Sequence, residues 1–335
     1  MVMKKKYVTI RDIAKRAGVS INTVSRALNN KPDISEETKR KILKIARELG
    51  YVKNATASSL RSKQTNIVGV IIADSANPFY AEVLKGIEAA SRKYGYQIML
   101  MNTERVYENE EKAIEVLLQR RVDGLLITPV QDRSDDIKAL IEIKVPFVIV
   151  GRHFEELEVD EIHSDEVKGG YLATRHLIKR GRKNILVITG YLFKSAAYMR
   201  LEGYKKALKE YGIPFREELI IETDIDIESG YQAMREAIEK GLEFDAVFCY
   251  NDLLAFGAMK ALKERGYRIP EDVAVVGYDD IVYSSFVCPS LTTVRIKKFE
   301  MGYEAFRMLL QRLKGRRKKR KRVILDVELV VRESG

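Results

Sequence analysis

From Asn66 onward the sequence alternates short apolar runs with segments whose apolar residues recur at helical spacing. Runs such as 67–73 and 124–128 carry no polar alternation, which is typical of strands buried on both faces of a parallel sheet. Parallel strands need a crossover connection, so each helical segment between two runs predicts a βα unit. The series occurs twice, near 67–150 and again near 185–277. The pattern therefore predicts α/β architecture with two doubly wound parallel-sheet lobes.

Two such lobes also predict where a small molecule binds. Ligands of doubly wound sheets lie beyond the carboxyl ends of the strands, so two facing lobes enclose a cleft. The length of 335 residues is enough for these lobes and one further small module.

The excess positive charge of the chain is confined to its N-terminal segment. The formal net charge is +11, and residues 1–64 hold 16 Lys and Arg against 5 Asp and Glu. Beyond this segment acidic and basic residues balance. This asymmetry is the electrostatic footprint of a nucleic-acid-binding module joined to a neutral body, although a solvated basic tail would carry the same charge.

Residues 9–49 have the periodicity of three short helices. Thr9 and Ser20 are candidate N-caps of the first two helices, Gly18 suits the tight turn between them, and Ser35 begins the third. A helix, a glycine turn and a second helix make a helix-turn-helix module. The first fifty residues are therefore expected to form an all-α DNA-binding headpiece.

The second helix is expected to present its polar side chains outward. Asn22 can read adenine and Arg26 can read guanine, each through two hydrogen bonds in the major groove. The 21 residues from Thr9 to Asn29, TIRDIAKRAGVSINTVSRALN, resemble the headpiece of the LacI/GalR family of bacterial transcription regulators. By that resemblance Ile21, Asn22 and Arg26 read bases, whereas otherwise they are surface residues of a small helical bundle. The remaining candidate DNA contacts of the headpiece are Thr9, Ser20, Thr23, Ser25 and Asn29.

Residues 51–65 resemble the hinge helix of the same family. The segment is too short for a helix that is stable alone, and the resemblance implies that it folds when two copies meet in the minor groove. Leu60 then matches the apolar wedge at the central base step, the alternative being linker packing. Lys53 and Ser58 stand where the family often has Pro and Arg. The candidate DNA contacts of the hinge are Asn54, Ala57, Leu60 and Arg61.

The body of the chain, 66–335, resembles the effector-binding and dimerisation core of this family and, more distantly, periplasmic sugar-binding proteins. The resemblance is carried by DSANPFY at 74–80, VGR at 150–152, MRLEGY at 199–204, YNDL at 250–253 and VGYDD at 276–280. It implies two lobes of periplasmic-binding-protein type. The expected N-lobe spans 66–162 plus about 295–322 and the C-lobe spans 163–291 plus about 323–332, with 289–294 as the crossover returning to the first lobe.

Most residues of these motifs follow a strand, where a ligand can be reached. Aromatic rings can stack on a sugar or base, Arg can donate to hydroxyls or anions, and Asn and Asp can bond vicinal hydroxyls. Each also has a structural alternative: core packing for Phe79, an ion pair for Arg200, and capping for Asn251 and Asp279. Ile225 and Ile296 replace an aromatic residue and a Gln common in relatives. The candidate effector contacts are Asn77, Phe79, Tyr80, Arg152, Arg200, Ile225, Asn251, Asp279 and Ile296.

Motifs of catalysis are missing from the sequence. It contains no GxxxxGK[ST], HExxH or GxSxG pattern and no GxGxxG after the first strand, so we expect neither an enzyme nor a cofactor. Two cysteines and three histidines predict neither a disulfide framework nor a metal site. With no signal-peptide core and no membrane-length apolar run, a cytoplasmic protein without a membrane partner is expected.

These observations predict a homodimeric transcriptional regulator, most simply a repressor, that binds double-stranded DNA at a pseudo-palindromic operator. A sugar or sugar derivative is the first choice of effector, and a nucleobase or phosphorylated metabolite is the alternative. A solute-binding protein without a regulatory role would lack residues 1–64. A second basic run, Arg312–Arg322, lies near the C-terminus. We interpret it as a solvated loop, and the less favoured alternative is a second DNA-contacting surface.

Overall fold

The computed structural model describes residues 8–52, 64–317 and 319–335, which fall into two compact units divided after Thr65. The first unit contains α1 (Ile10–Ala17), α2 (Ile21–Leu28) and α3 (Glu36–Glu48). Ser20 and Ser35 cap α2 and α3, since each hydroxyl accepts a backbone N–H of the first turn. Gly18 ends α1 in the left-handed conformation, with φ of 69°. The predicted three-helix module is confirmed.

The headpiece has its own hydrophobic core. Ile13, Val24 and Ile42, one from each helix, are fully buried against one another's helices. These are positions of the apolar stripes that the sequence periodicity predicts. Each short helix is therefore stabilised by tertiary packing and not by its own propensity.

The first lobe of the second unit is built on a six-stranded sheet. Its strands are β1 (Ile67–Ile72), β2 (Gln97–Asn102), β3 (Gly124–Ile127), β4 (Phe147–Val150), β5 (Glu161–Ser164) and β11 (Arg322–Leu325). Their order in the sheet is β11-β5-β4-β3-β1-β2, and every pairing within it is parallel.

The second lobe is built on another six-stranded sheet. Its strands are β6 (Ile185–Thr189), β7 (Ile220–Glu222), β8 (Ala246–Cys249), β9 (Ala274–Asp279), β10 (Thr292–Arg295) and β12 (Glu328–Val330). Their order in the sheet is β12-β10-β9-β8-β6-β7, and the pairings are parallel except at the edge, where β12 pairs antiparallel with β10.

Eight helices in the described ranges connect these strands, as the predicted βα units require. They are α4 (Pro78–Tyr94), α5 (Tyr107–Gln119), α6 (Asp135–Glu142), α7 (Glu166–Lys179), α8 (Ser195–Glu210), α9 (Ile227–Glu239), α10 (Asp252–Glu264) and, before the last strands, α11 (Lys298–Leu313). Within the described residues no helix is long and apolar enough to cross a membrane.

Sheet membership corrects the expected lobe boundaries at three places. The segment 289–294 is not simply a crossover, because Thr292–Arg295 pairs with β9 as strand β10 of the second lobe. The strand at 322–325 pairs with β5 and belongs to the first lobe, whereas the sequence analysis placed 323–332 in the second. The first sheet likewise extends through β5 to Ser164. These strands are only four residues long, and partners far away in the sequence decide which sheet they join.

Three pairs of helices cross where a glycine of each helix lies against the backbone of the other helix. A Cβ on Gly203 of α8 would overlap the backbone of α7, and a Cβ on Gly170 would overlap the backbone at Arg200. Gly86 with Gly302 and Gly230 with Gly257 make the corresponding contacts of α4 with α11 and of α9 with α10. The absence of side chains lets these helix backbones touch, and in α7 and α8 this contact fixes the position of Arg200.

Candidate functional site

In the headpiece, the predicted base-reading side chains lie on the outer face of α2. Ile21 is 42% exposed although it is apolar, and Asn22 and Arg26 are exposed beside it. The guanidinium of Arg26 forms an ion pair with Asp33 in the loop that follows. Ile21 and Asn22 begin α2 and Arg26 lies in its last turn, and exposed side chains of these types can contact base edges in the major groove.

The other candidate DNA contacts of the headpiece hold its local structure. The hydroxyls of Ser20 and Thr23 are hydrogen-bonded at 2.8 Å, and Thr9 donates to the Asp12 carboxylate at 2.8 Å. Asn29 donates its side-chain N–H to the carbonyl of Ser25 at 2.8 Å. These groups therefore shape the ends of the helices. The hinge candidates Asn54, Ala57, Leu60 and Arg61 lie outside the described residues.

In the second unit, Arg200 is the most heavily contacted of the predicted effector residues. Its side chain is 6% exposed, and its Nε donates to Glu166 Oε2 at 2.7 Å. The guanidinium lies over the rings of Tyr278 and Tyr250, at 3.5 and 4.3 Å from their centroids, and also donates to the Tyr250 carbonyl. The structural ion pair considered for Arg200 is thus present, and it aims the guanidinium toward Asp279 Oδ1, 3.9 Å from Nη2.

The first lobe contributes Tyr80 and Arg152 to the same region. Both are buried, and each interacts electrostatically with Tyr250 of the second lobe. Burial raises the pKa of Tyr80 to about 12, so its hydroxyl remains a hydrogen-bond donor. Arg152 donates from Nη1 to the carbonyl of Gly151 at 2.8 Å, while in the described part of the chain its buried Nε has no hydrogen-bond partner. A buried N–H without an acceptor is suited to a ligand oxygen.

Asp279 lies between these two groups of residues. It ends β9 with φ of 103°, a backbone conformation that favours glycine and that short polar side chains tolerate best. Burial raises the pKa of its carboxyl to about 7, against the opposing effect of Arg200. A carboxyl that is close to half-ionised at neutral pH can both accept from and donate to a hydroxyl.

The remaining effector candidates cap helices or pack in the hydrophobic core. Asn251 caps α10 by accepting from Leu254 N at 2.9 Å and donates to the Ile225 carbonyl at 3.1 Å, so its capping alternative is realised. Asn77 similarly caps α4 through Phe79 N at 2.9 Å. Ile225 and Ile296 are buried apolar contacts, and Phe79 is partly buried against the core.

Hydrogen bonds join the two lobes across the cleft. Gln131 of the first lobe accepts from both N and Oγ of Ser195, the first residue of α8, at 3.1 Å each. The N–H of His153 donates to Ser195 Oγ at 3.0 Å, and Gln131 donates to the carbonyl of His153 at 2.6 Å. We call these three residues, Gln131, His153 and Ser195, the latch.

Sequence reasoning missed Lys194. Its side chain is buried near Arg152 and Arg105, and burial, reinforced by these two cations, lowers its pKa to about 8. Lys194 follows β6, so the rule that ligands lie beyond strand carboxyl ends would have found it. Glu166 and Tyr278 were also missed, because their importance comes from contacts with Arg200.

A helix-turn-helix module followed by two α/β lobes, with polar groups of both lobes near one another, is typical of DNA-binding proteins that also bind a ligand. Comparison with known proteins narrows this class. Residues 9–54 match the family described as bacterial regulatory proteins, lacI family, and residues 65–333 match periplasmic binding proteins and sugar binding domain of LacI family.

Whole-chain similarities agree with both matches. The chain is 37% identical to the HTH-type transcriptional repressor PurR of Vibrio atlanticus over 97% of this chain and 98% of that protein. It is 36% identical to the ribose operon repressor of Haemophilus influenzae over the same shares. Among solved structures, the lac repressor dimer bound to operator and the anti-inducer ONPF has a TM-score of 0.89 at 30% identity, covering 98% of this chain and 99% of that one.

The chain belongs to the LacI family of bacterial regulatory proteins. It is a DNA-binding transcriptional repressor with an effector-binding domain, which confirms the predicted family and fold class.

Proposed function

We propose that this protein represses transcription as a homodimer and that a small effector held between the two lobes controls its operator affinity. The observation that carries the proposal is the convergence of Tyr80 and Arg152 from one lobe with Arg200 and Asp279 from the other. A ligand that contacts both lobes favours one arrangement of the lobes and so changes the affinity for the operator. By thermodynamic reciprocity, operator binding changes the affinity for the ligand by the same factor. The cleft is thus proposed for binding and not for catalysis, and the site of action is the cytoplasm.

The proposed DNA contacts divide between the two parts of the first 65 residues. In the headpiece we propose base contacts by Ile21, Asn22 and Arg26, supported by their exposure on α2. In the hinge we propose that Leu60 is the minor-groove wedge, on the family resemblance alone. Two copies related by a twofold axis require a near-palindromic operator.

For the effector we propose a carbohydrate or a carbohydrate derivative. The carboxyl of Asp279 and the Nε of Arg152 are suited to hydroxyl groups, and the rings of Phe79 and Tyr80 can cover an apolar sugar face. The names of two similar proteins support this choice: one is a ribose operon repressor, and the other, a solved structure with a TM-score of 0.77 at 34% identity, covering 98% of this chain and all of that one, is a transcriptional regulator CelR–cellobiose complex.

A phosphorylated sugar is the second candidate. Arg152, Lys194 and Arg105 place three cationic groups close together on this side of the cleft. Burial of Lys194 destabilises its charged form because the ammonium group loses water. An anionic ligand would offset part of this desolvation energy. A neutral sugar offers no such compensation.

The test is operator binding by the full chain with and without effector candidates. Neutral sugars, sugar phosphates and nucleobases are first screened by thermal shift, and each hit is added to a fluorescence-anisotropy titration of operator DNA. We expect a hit to change operator affinity by at least fivefold, the lower range of allosteric coupling. Asp279→Asn should lose this response while keeping the wild-type melting curve, and Asp135→Asn, at an exposed carboxylate of α6, should keep both. Hits that bind equally well to Asp279→Asn would contradict the proposed site.

A further inference from the structure

A cluster of potential metal ligands lies in the first lobe, beside the effector cleft but apart from the residues proposed to touch the effector. His153 follows β4, and Glu161 and His163 lie on β5. The three residues offer one ligand atom each, all within 4.8 Å of one another. Two of the chain's three histidines are therefore gathered at one point by the pairing of β4 with β5.

Glu161 and His163 are 1% and 2% exposed, whereas the side chain of His153 is 16% exposed. The carboxylate and one imidazole are thus held in the protein interior. The second imidazole lies between them and solvent, so an ion can reach the cluster past His153.

His163 supplies an independent sign of a ligand. Its Nδ1 donates to the carbonyl of Ser164 at 2.8 Å, which fixes the neutral ring in the tautomer whose Nε2 carries a lone pair. Among the described residues, this buried Nε2 has no hydrogen-bond partner. A histidine that donates one nitrogen to a backbone carbonyl and presents the other bare is arranged as metal-binding histidines are.

We propose that His153, Glu161 and His163 bind one divalent transition-metal ion of the Zn²⁺ type. Two imidazole nitrogens and one carboxylate oxygen are the ligands that such ions prefer, and Ca²⁺ or Mg²⁺ would require more oxygen ligands. Tetrahedral bonds of 2.0–2.1 Å place ligand atoms about 3.3 Å apart, so small side-chain movements suffice to close the site. A water molecule would complete the coordination sphere.

The ion must displace the contacts that Glu161 makes without it. His153 Nδ1 donates to Glu161 Oε1 at 2.9 Å, and the half-exposed guanidinium of Arg322 also binds this oxygen. Metal binding at Nδ1 therefore requires the other tautomer of the neutral His153 ring, with its proton on Nε2, and lets Arg322 turn into solvent. This competition predicts that removing Arg322 strengthens metal binding, a result that a purely structural Glu161–Arg322 pair would not give.

The site shares one residue with the latch. The backbone N–H of His153 donates to Ser195 Oγ in the second lobe, and its C=O accepts from Gln131 within the first lobe. A metal bound to the ring would hold that backbone in the latched position. This consequence rests on the proposed function, in which lobe arrangement controls operator affinity.

The test uses the full chain after removal of metal by chelation. Co²⁺ is added and its visible absorption, which reports coordination by nitrogen and oxygen ligands, is followed to saturation, and Zn²⁺ binding is then measured by competition. We expect one ion per chain. Each of His153→Gln and His163→Gln should weaken metal binding more than tenfold. Loss of a group that only supports a metal ligand already weakens binding by about tenfold or more, and these changes remove a ligand itself.

His176→Gln is the matched control, because His176 is the third histidine and lies on α7 outside the cluster. It should bind metal as the wild type does, while Arg322→Gln should bind more tightly. Since His163→Gln alters a buried residue, each variant's metal-free melting temperature is compared, and the partly exposed His153→Gln provides an independent test. Zn²⁺ should raise the melting temperatures of the wild type, His176→Gln and Arg322→Gln, and should leave those of His153→Gln and His163→Gln unchanged.

Two results would overturn the inference. No saturable binding near one ion per chain, or equal affinity in wild type, His153→Gln and His163→Gln, removes the site. Effector titrations of operator binding with and without Zn²⁺ test the connection to the latch, and identical curves overturn that connection while the metal site stands.

Discussion

Removing Arg200 tests whether the centre of the cleft is held together as the structure indicates. The variant Arg200→Ala deletes the hydrogen bond of 2.7 Å to Glu166 and the donor to the Tyr250 carbonyl. It also leaves the rings of Tyr250 and Tyr278 without the cation between them.

The magnitude follows from the burial of the partner. The Glu166 side chain is 4% exposed, so its carboxylate cannot recover water when Arg200 is lost. Breaking a buried ion pair on one side destabilises a protein by about 3–5 kcal/mol, because an uncompensated charge remains. Removing both partners also removes the uncompensated Glu166 charge, so Arg200→Ala with Glu166→Ala should lose less stability than the sum of the single changes.

Guanidinium unfolding followed by far-UV circular dichroism measures these differences, provided the denaturant slope of the core transition is the same in each variant. Arg235→Ala is the matched control. Arg235 pairs with Glu239 on the surface of α9, where both side chains are well exposed, and its loss should change stability by less than about 0.5 kcal/mol.

Equal stability of Arg200→Ala and Arg235→Ala would refute the reasoning. It would mean that Glu166 is not held as a buried charge by Arg200. A double variant as unstable as the sum of the two single ones would likewise show that the two side chains are not coupled.

Three further results are expected. Arg26→Ala should weaken operator binding by about 1–3 kcal/mol at one base pair of each half-site, and an equal loss on random DNA in the same anisotropy assay would exclude base recognition. Gly203→Ala should lower stability by about 1–3 kcal/mol because its methyl group overlaps the α7 backbone, and an unchanged denaturation midpoint would contradict that close contact. If the effector is a sugar phosphate, its affinity should fall as pH rises through about 8, where Lys194 loses its proton. Calorimetry on Lys194→Met should give at least about tenfold weaker binding without that fall near pH 8.

Local sequence determined the headpiece and most elements of the lobes. The caps at Ser20 and Ser35, the glycine turn at Gly18 and the apolar stripes all act within a few residues, so their effects can be read without knowing the fold. The same is true of the long apolar runs, because strands buried on both faces need no polar alternation.

The candidate site was only partly predictable. Motifs after strands pointed to Tyr80, Arg152, Arg200 and Asp279, since strand ends of a doubly wound sheet are places for ligands. The position of Asn251 in a motif did not show that both polar groups of its side chain form hydrogen bonds within the fold. Of the basic run, Arg312 and Arg317 bind the buried Asp160 carboxylate at 2.6 and 2.7 Å, so the interpretation as a solvated loop was wrong for these two side chains.

Most helices and strands, and their order along the chain, can therefore be read from local sequence, because capping, turn geometry and apolar periodicity are short-range. Tertiary structure alone decided which sheet the short strands join, how Arg200 meets Glu166 and Tyr278, and that His153 and His163 face one carboxylate. Those outcomes depend on backbone pairing and side-chain contact between residues distant in the chain, for which local patterns carry no energetic preference.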